Sequence, residues 1–191
     1  MKSRMLVLAM VAAVGLAAGI ARADSYSDTI ALFKNAHESA SFFQKSYGYA
    51  VFPTVGKAGL GLGGALGKGR VYAHGRLIGD VTMSQVSVGF QAGGQSFSQL
   101  IFFENKADLE KFTNGNFEFG ANVGVIAITA SASGSAGTSG TTASASGDKG
   151  NAANAGVYHD GMVVFIIAKG GLMYEAAVSG QKFSYKRRGA K

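Results

Sequence analysis

The sequence predicts a mainly β protein of the α+β class, built on an antiparallel, glycine-rich sheet that is barrel-like or a sandwich. An N-terminal amphipathic helix and one short inserted helix complete the prediction. Segments such as SQVSVGFQA (84–92) alternate apolar and polar residues, as a half-buried strand does. The runs LIFF (100–103) and MVVFIIA (162–168) are continuously apolar, which is typical of central strands buried on both faces. Glycine accounts for 29 of the 191 residues and proline for one, which argues against a proline-rich disordered linker.

The first 23 residues have the pattern of a secretory signal peptide. A positively charged beginning, MKSR, precedes an apolar stretch over 5–20 and a small-residue cleavage site, ARA, at 21–23. We therefore predict a mature chain that starts at Asp24 and is periplasmic or secreted. A retained membrane anchor is the alternative, although the apolar stretch is short for a membrane span of about 20 residues.

The mature chain is predicted to begin with one amphipathic helix over residues 27–48. At 100° per residue, its apolar face carries Ile30, Leu32, Phe33, Ala36, Ala40, Phe43 and Tyr47. The polar face carries Lys34, Asn35, Glu38, Ser39, Lys45 and Ser46. Phe42 interrupts this polar face. Either the helix packs on its own domain and a loop covers Phe42, or the helix meets a bilayer and Phe42 inserts as a wedge.

The stretch KAGLGLGGALGKGR (57–70) contains the spacing G-x-G-x-x-G at Gly59, Gly61 and Gly64. A dinucleotide site needs a helix to begin inside this motif, and the glycines that continue to Gly69 oppose one. We therefore predict no nucleotide cofactor and interpret the stretch as a glycine-rich hairpin, with Pro53 at the edge or end of the preceding strand. A second turn is expected at Gly93-Gly94.

Two further segments complete the predicted organisation. NKADLEKFTNG is expected to form the short inserted helix, capped by Asn105 and ended near Gly115. Residues 130–156 are rich in Ala, Ser and Gly, and form either a hairpin with a mobile tip or a flexible loop.

Charge and reactive residues restrict the function. The formal net charge is +7, and after removal of the signal peptide the excess lies in the basic tail 186–191. No broad basic face is expected, so a nucleic-acid partner is not predicted. The chain has no cysteine, its histidines are scattered, and no G-x-S-x-G elbow is present. We therefore predict neither an enzyme nor a metal site.

Three blocks in order, SYGYAVFPTVGKAGLGLGGALGKGRVY, SFSQLIFFENKADLEKFTNGNFEFGANV and AKGGLMYEAAVSGQKFSY, resemble the SYLF domain family. The resemblance covers residues 27–185, and with the signal and tail it divides the chain into 1–23, 24–185 and 186–191. It implies a lipid-binding module. Eukaryotic members bind phosphoinositides, some bind actin filaments, and their N-terminal amphipathic region is implicated in membrane contact. We expect two departures from these members, namely the predicted export signal and the absence of an SH3 or FYVE module beside the domain.

The resemblance and the residues together predict a non-enzymatic phospholipid-binding protein of the cell envelope. It would contact anionic lipid through its N-terminal helix and nearby basic residues. The predicted lipid-binding residues are Phe33, Lys34, Phe42, Phe43, Lys45, Lys57, Lys68, Arg70, Lys186, Arg187 and Arg188. The alternative is a structural or interaction protein of the envelope that binds a protein partner.

Overall fold

The computed structural model describes residues 25–119, 125–128, 158–170 and 180–189. The predicted signal peptide and the Ala/Ser-rich segment 130–156 lie outside the described residues. Short helices α1 (Ser25–Asn35), α2 (His37–Ala40) and α3 (Phe42–Lys45) come first. The strands that follow are β1 (Gly48–Ala73), β2 (Arg76–Phe103), β3 (Asn116–Glu118), β4 (Val125–Ile128), β5 (Met162–Gly170) and β6 (Gln181–Arg187). Helix α4 (Lys106–Thr113) lies between β2 and β3.

The strands form one curled sheet, which confirms the predicted mainly β fold. Its order is β3-β6-β2-β5-β4, and β1 pairs with β2. All strand pairs are antiparallel except β4 and β5, which are parallel, so the sheet is mixed. Strand β2 is central because its second edge pairs with β6 through residues 79–85 and with β5 through residues 96–103. The run Leu100–Phe103 lies in this central region and is fully buried, as its composition predicted.

The glycine-rich stretch is not a hairpin. It is the middle of the 26-residue strand β1, which pairs along its length with β2. The predicted turn at Gly93-Gly94 is also wrong, because Gly93 lies opposite Gly59 and Gly94 opposite Ala58. The chain turns instead at His74-Gly75, where both residues have positive φ (47° and 74°), as in a two-residue hairpin loop. Pro53 lies within β1 at a register shift between Phe52 and Val55 rather than at a strand end.

Strand β1 curls until its two ends meet. The His74 backbone N–H donates to the Tyr47 carbonyl at 3.1 Å. A Cβ atom at Gly48 would overlap the Tyr72 carbonyl oxygen, so this close approach requires glycine. The curled hairpin therefore nearly closes on itself at Gly48.

A buried glutamine network follows the same curvature across the inner face of the sheet. The Gln99 amide Nε2 donates to Gln181 Oε1 at 2.9 Å, and Gln181 Nε2 donates to Gln85 Oε1 at 3.3 Å. Gln85 and Gln99 belong to distant parts of β2, and Gln181 begins β6. These buried polar groups satisfy one another, as groups in such an environment must.

Two apolar clusters lie on the opposite faces of the sheet. The cluster on the inner face includes Phe52, Met83 and Phe183, and α4 adds Leu109 and Phe112 to it. The Asn105 side chain accepts from the Asp108 backbone N–H at 3.2 Å, which confirms the predicted helix cap. The cluster on the outer face covers the region of β5 and the end of β2. Helices α1–α3 pack there with Phe33 and Phe42.

The prediction of a single N-terminal helix is wrong, because the helix is interrupted at Ala36. This residue has extended geometry (φ −82°, ψ 124°), and the Ser39 hydroxyl donates to the Phe33 carbonyl. The extended residue changes the helical phase for the residues that follow it, and Ser39, which was assigned to the polar face, is buried. Before the break, Leu32, which was assigned to the apolar face, is 43% exposed.

Phe42 faces the sheet as a consequence of this break. Its side chain is 7% exposed and contacts Phe102, Phe165 and Tyr158, with ring centroids 5.2–5.6 Å apart. This is the packed arrangement rather than an exposed wedge, although the cover is mainly the sheet instead of a loop.

Candidate functional site

The candidate site is a basic face, which we define as the outer-face cations Lys68, Arg70, Lys182, Lys186 and Arg188. Strand register brings the first four together. Arg70 on β1 lies opposite Asp80 on β2, which in turn lies opposite Lys186 on β6. The next two rows are Lys68–Thr82–Ser184–Asn116 and Leu66–Ser84–Lys182–Glu118.

The alternation of burial shows that these rows point outward. The intervening residues Ala65, Val71, Val81, Met83, Gln181 and Phe183 are buried on the inner face. The row residues Lys68, Thr82 and Lys182 are exposed, and Arg70 is half-buried. Among the described residues, helices α1–α3 pack over the other half of the outer face and leave these rows open.

Two carboxylates offset part of the positive charge. Arg188 forms a two-pronged pair with Asp80, with Nε and Nη2 at 2.7 and 2.9 Å from the two carboxylate oxygens. These hydrogen bonds raise the pKa of Arg188 above its usual value. Lys182 Nζ lies 3.5 Å from Glu118 Oε2, with both side chains more than half exposed. The cations of the basic face outnumber these two carboxylates, so the face is positive.

Helix α1 begins at the border of the basic face. The Arg70 guanidinium carbon lies 4.0 Å from the centroid of the Tyr26 ring, which is a cation–π geometry. The Tyr26 hydroxyl donates to the Lys68 carbonyl at 3.4 Å. Partial burial raises the pKa of Tyr26, and the neighbouring Arg70 partly opposes that shift. The start of α1 and the end of β1 therefore form one continuous surface.

The other predicted site residues lie elsewhere. Phe33 and Phe42 are buried beneath the helices. Phe43 is partly buried, and Lys34 Nζ lies 5.5 Å from its ring centroid. Lys45 is exposed on α3, and Lys57 lies opposite Gln95 in the middle of β1. Arg187 follows the inner-face positions of β6, so it points away from Lys186 although both are exposed.

The expected basic tail is therefore partly a strand. Lys186 and Arg187 belong to β6, and the Arg188 backbone N–H donates to the Ile78 carbonyl at 3.1 Å. Lys68, Arg70, Lys186 and Arg188 are among the predicted lipid-binding residues, but the sequence does not place them on one face. Lys182 is not among the predicted residues. The alternation in QKFSYK was the available signal, because it places Lys182 and Lys186 on one side of a strand.

Residues 25–119, 125–128, 158–170 and 180–189 lack two kinds of feature. No group of three or more His, Cys, Asp or Glu side chains is arranged to hold a metal ion in these ranges. Nor do these ranges contain a helix with the length and apolar character needed to cross a membrane.

Comparison with known proteins adds the family. A family model described as "Las17-binding protein actin regulator" (Ysc84) matches residues 84–189, more than half of the chain. The chain belongs to the Ysc84 (SYLF) family. This confirms the resemblance found in the sequence.

A curated relative of this Ysc84-family chain is "Beta cell expansion factor A" from Aeromonas veronii. The two are 32% identical over 157 residues, which cover 81% of this chain and 51% of the relative. The chain thus spans about half the length of the curated relative that it matches. The family match includes Lys182, Lys186 and Arg188 but begins after Lys68 and Arg70.

Proposed function

We propose that this domain is a non-enzymatic module that binds anionic phospholipid. The observation that carries the proposal is the basic face, on which strand register gathers Lys68, Lys182 and Lys186 beside Arg70 and helix α1. Membership of the Ysc84 (SYLF) family supports a binding rather than a catalytic role.

The electrostatics favour a membrane surface as the partner. A lysine or arginine near an anionic bilayer contributes about 1 kcal/mol, so several cations on one face add to a useful attraction. Lys68 and Lys186 are exposed and have no carboxylate partner among the salt bridges of the described residues, so their charges are available for lipid phosphates.

The N-terminal helices take a different part from the one predicted. Because Phe33 and Phe42 are packed on the sheet, contact by α1–α3 falls to exposed side chains such as Leu32, Lys34 and Lys45. Tyr26 and Arg70 join α1 to the basic face, so both can meet one surface. With the export predicted from residues 1–23, that surface is an envelope membrane or a membrane outside the cell.

Vesicle co-sedimentation of the chain from Asp24 to Lys191 tests the proposal. We expect binding to anionic vesicles, little binding to zwitterionic vesicles, and weakening with added salt. Lys68→Glu should reduce the affinity about 30-fold, because it changes the charge of the face by two, at about 1 kcal/mol for each charge. Lys111→Glu is the matched control, since Lys111 is exposed on α4, which packs on the inner face.

Equal loss in Lys68→Glu and Lys111→Glu would contradict a specific face and indicate attraction by net charge. Absence of binding to every vesicle would contradict the proposal as a whole. Equal binding to duplex DNA would show that the face recognises polyanions rather than lipid.

A protein partner is the second candidate function. The family description names a Las17-binding actin regulator, which is a protein-binding role for proteins of that description. If this chain binds a protein at the basic face, the partner should present acidic residues, and Lys68→Glu should weaken that complex while vesicle binding is absent.

A further inference from the structure

We propose that the sheet itself enters the lipid surface, through Leu66 and Val86 on the outer face of β1 and β2. The inference rests on the proposed function and adds the element that inserts. It assigns the apolar contact to strand residues, in contrast to the N-terminal helix favoured by the sequence.

Leu66 and Val86 are unusually exposed for large apolar side chains. Leu66 is 68% exposed and Val86 is 78% exposed, compared with 43% for Leu32 on α1. Gly64 lies opposite Val86, and Leu66 lies opposite Ser84. Leu66 and Val86 are therefore diagonal neighbours on the same face, close enough for one surface to contact both.

The cross-strand neighbours of both residues are small. A Cβ atom at Gly64 would have only the Gln85 carbonyl oxygen within 4 Å, at 3.4 Å, so the space beside Val86 is open. Ser84 offers only a hydroxymethyl group beside Leu66. Both apolar side chains consequently stand above their cross-strand neighbours.

Charge identifies the occupant as an anionic lipid surface. Single exposed apolar residues are ordinary on proteins, but these two adjoin the basic face. Lys182 continues the row of Leu66 and Ser84, and Lys68 lies one row away. An apolar edge bordered by lysines matches the order of a bilayer interface, in which acyl chains lie below anionic phosphates.

The same geometry indicates how the domain is oriented on the bilayer. The Asp80–Arg188 pair and Arg70 occupy the opposite end of the basic face from Val86. We infer that the rows of Leu66 and Val86 approach the bilayer most closely. Lys68 and Lys182 then lie at the level of the phosphates.

Tryptophan scanning tests this inference cleanly because the chain contains no tryptophan. Leu66→Trp and Val86→Trp place a single reporter on the sheet, Leu32→Trp places one on α1, and Lys111→Trp serves as a control on α4. With anionic vesicles, we expect a blue shift at positions 66 and 86, and quenching by lipids brominated in their acyl chains. Position 111 should stay water-exposed.

A water-exposed reporter at positions 66 and 86, with quenching at position 32, would overturn the inference in favour of α1. Co-sedimentation of the unaltered protein would still support the proposed function in that case. Failure of the unaltered protein to bind vesicles would contradict both proposals, so the two failures are distinguishable.

A second variant measures the contribution of the apolar pair. Leu66→Ser combined with Val86→Ser should leave the circular dichroism spectrum unchanged, because both side chains are exposed. In high salt, where the charge attraction is screened, the double variant should bind vesicles about tenfold more weakly than the unaltered protein does. An affinity equal to that of the unaltered protein would overturn the inference.

Discussion

At the scale of single residues, Phe42 shows how one backbone angle changes the role of a side chain. A continuous helix places Phe42 among polar residues. The extended geometry of Ala36 turns it onto Phe102 and Phe165 instead. A residue that looked suited to a membrane is thus part of the cluster that holds α1–α3 to the sheet.

Phe42→Ala should lower the free energy of unfolding by about 3–5 kcal/mol, because it removes a buried aromatic ring and leaves a cavity. Leu66→Ala is the control and should change that free energy by no more than about 0.5 kcal/mol, since Leu66 is exposed. Chemical denaturation measures both. Similar losses for the two variants would contradict the burial of Phe42.

Tyr49 makes a residue-scale contribution that depends on pH. Its ring stacks on Tyr72 with centroids 5.0 Å apart, and burial raises the pKa of Tyr49 to about 12 from 10.0. The folded state therefore holds the phenol proton more tightly than the unfolded chain. The contribution of Tyr49 to the free energy of unfolding is fully present below pH 10 and is lost as the pH rises toward 12.

We expect Tyr49→Phe to flatten the decline in unfolding free energy over that alkaline interval. The effect should be about 1 kcal/mol, because the half-exposed ring is partly screened by solvent. Denaturation curves at a series of pH values measure it. An unchanged slope would show that Tyr49 titrates normally in the folded protein.

At the scale of elements, the β1–β2 hairpin determines the architecture. Its strands are 26 and 28 residues long, and β1 curls until Gly48 meets Tyr72. The sequence marks both the glycines and the alternation, but it does not mark how far each strand continues. A glycine-rich run can turn or extend, and here it extends and pairs with β2.

Gly48→Ala tests the closure of β1. The added methyl group overlaps the Tyr72 carbonyl, so we expect the free energy of unfolding to fall by about 1–3 kcal/mol. Gly56→Ala in the same strand is the matched control, because a Cβ atom at Gly56 would have no atom within 4 Å and the φ angle there is not positive. Thermal denaturation that affects both variants equally would contradict a specific close approach.

At the scale of the whole molecule, pairing of distant segments creates an asymmetric charge distribution. Strand β1 contributes Lys68 and Arg70, and the chain end contributes Lys182, Lys186 and Arg188. The opposite half of the outer face is covered by α1–α3, and α4 packs on the inner face. The open part of the outer face carries the positive charge and the exposed pair Leu66 and Val86.

The vesicle experiments belong to this scale, because they depend on several elements acting as one surface. Reversal at Lys68 tests charge, and tryptophan at position 86 tests insertion. If vesicle binding depends on Lys68 and on salt, and lipids brominated in their acyl chains quench tryptophan at position 86, then the charged and the apolar residues contact the same bilayer. Binding that follows Lys68 but never reaches position 86 would restrict the contact to headgroups.

The local features of this protein could be predicted from its residues alone. Apolar runs predicted the buried segments at 100–103 and 162–167, and Asn105 predicted the helix cap, because burial period and capping depend on nearby residues. The three sequence blocks also identified the family. These features depend on neighbouring residues or on composition, so they can be predicted without knowledge of the tertiary structure.

Which residues share a surface depends on the folded chain. The break at Ala36, the turn at His74-Gly75 and the placement of Lys68 beside Lys186 through β2 all follow from long-range packing and strand register. A register shift of one residue reverses the face on which a strand side chain lies. The basic face therefore exists because distant strands pair in one register, which no local pattern specifies.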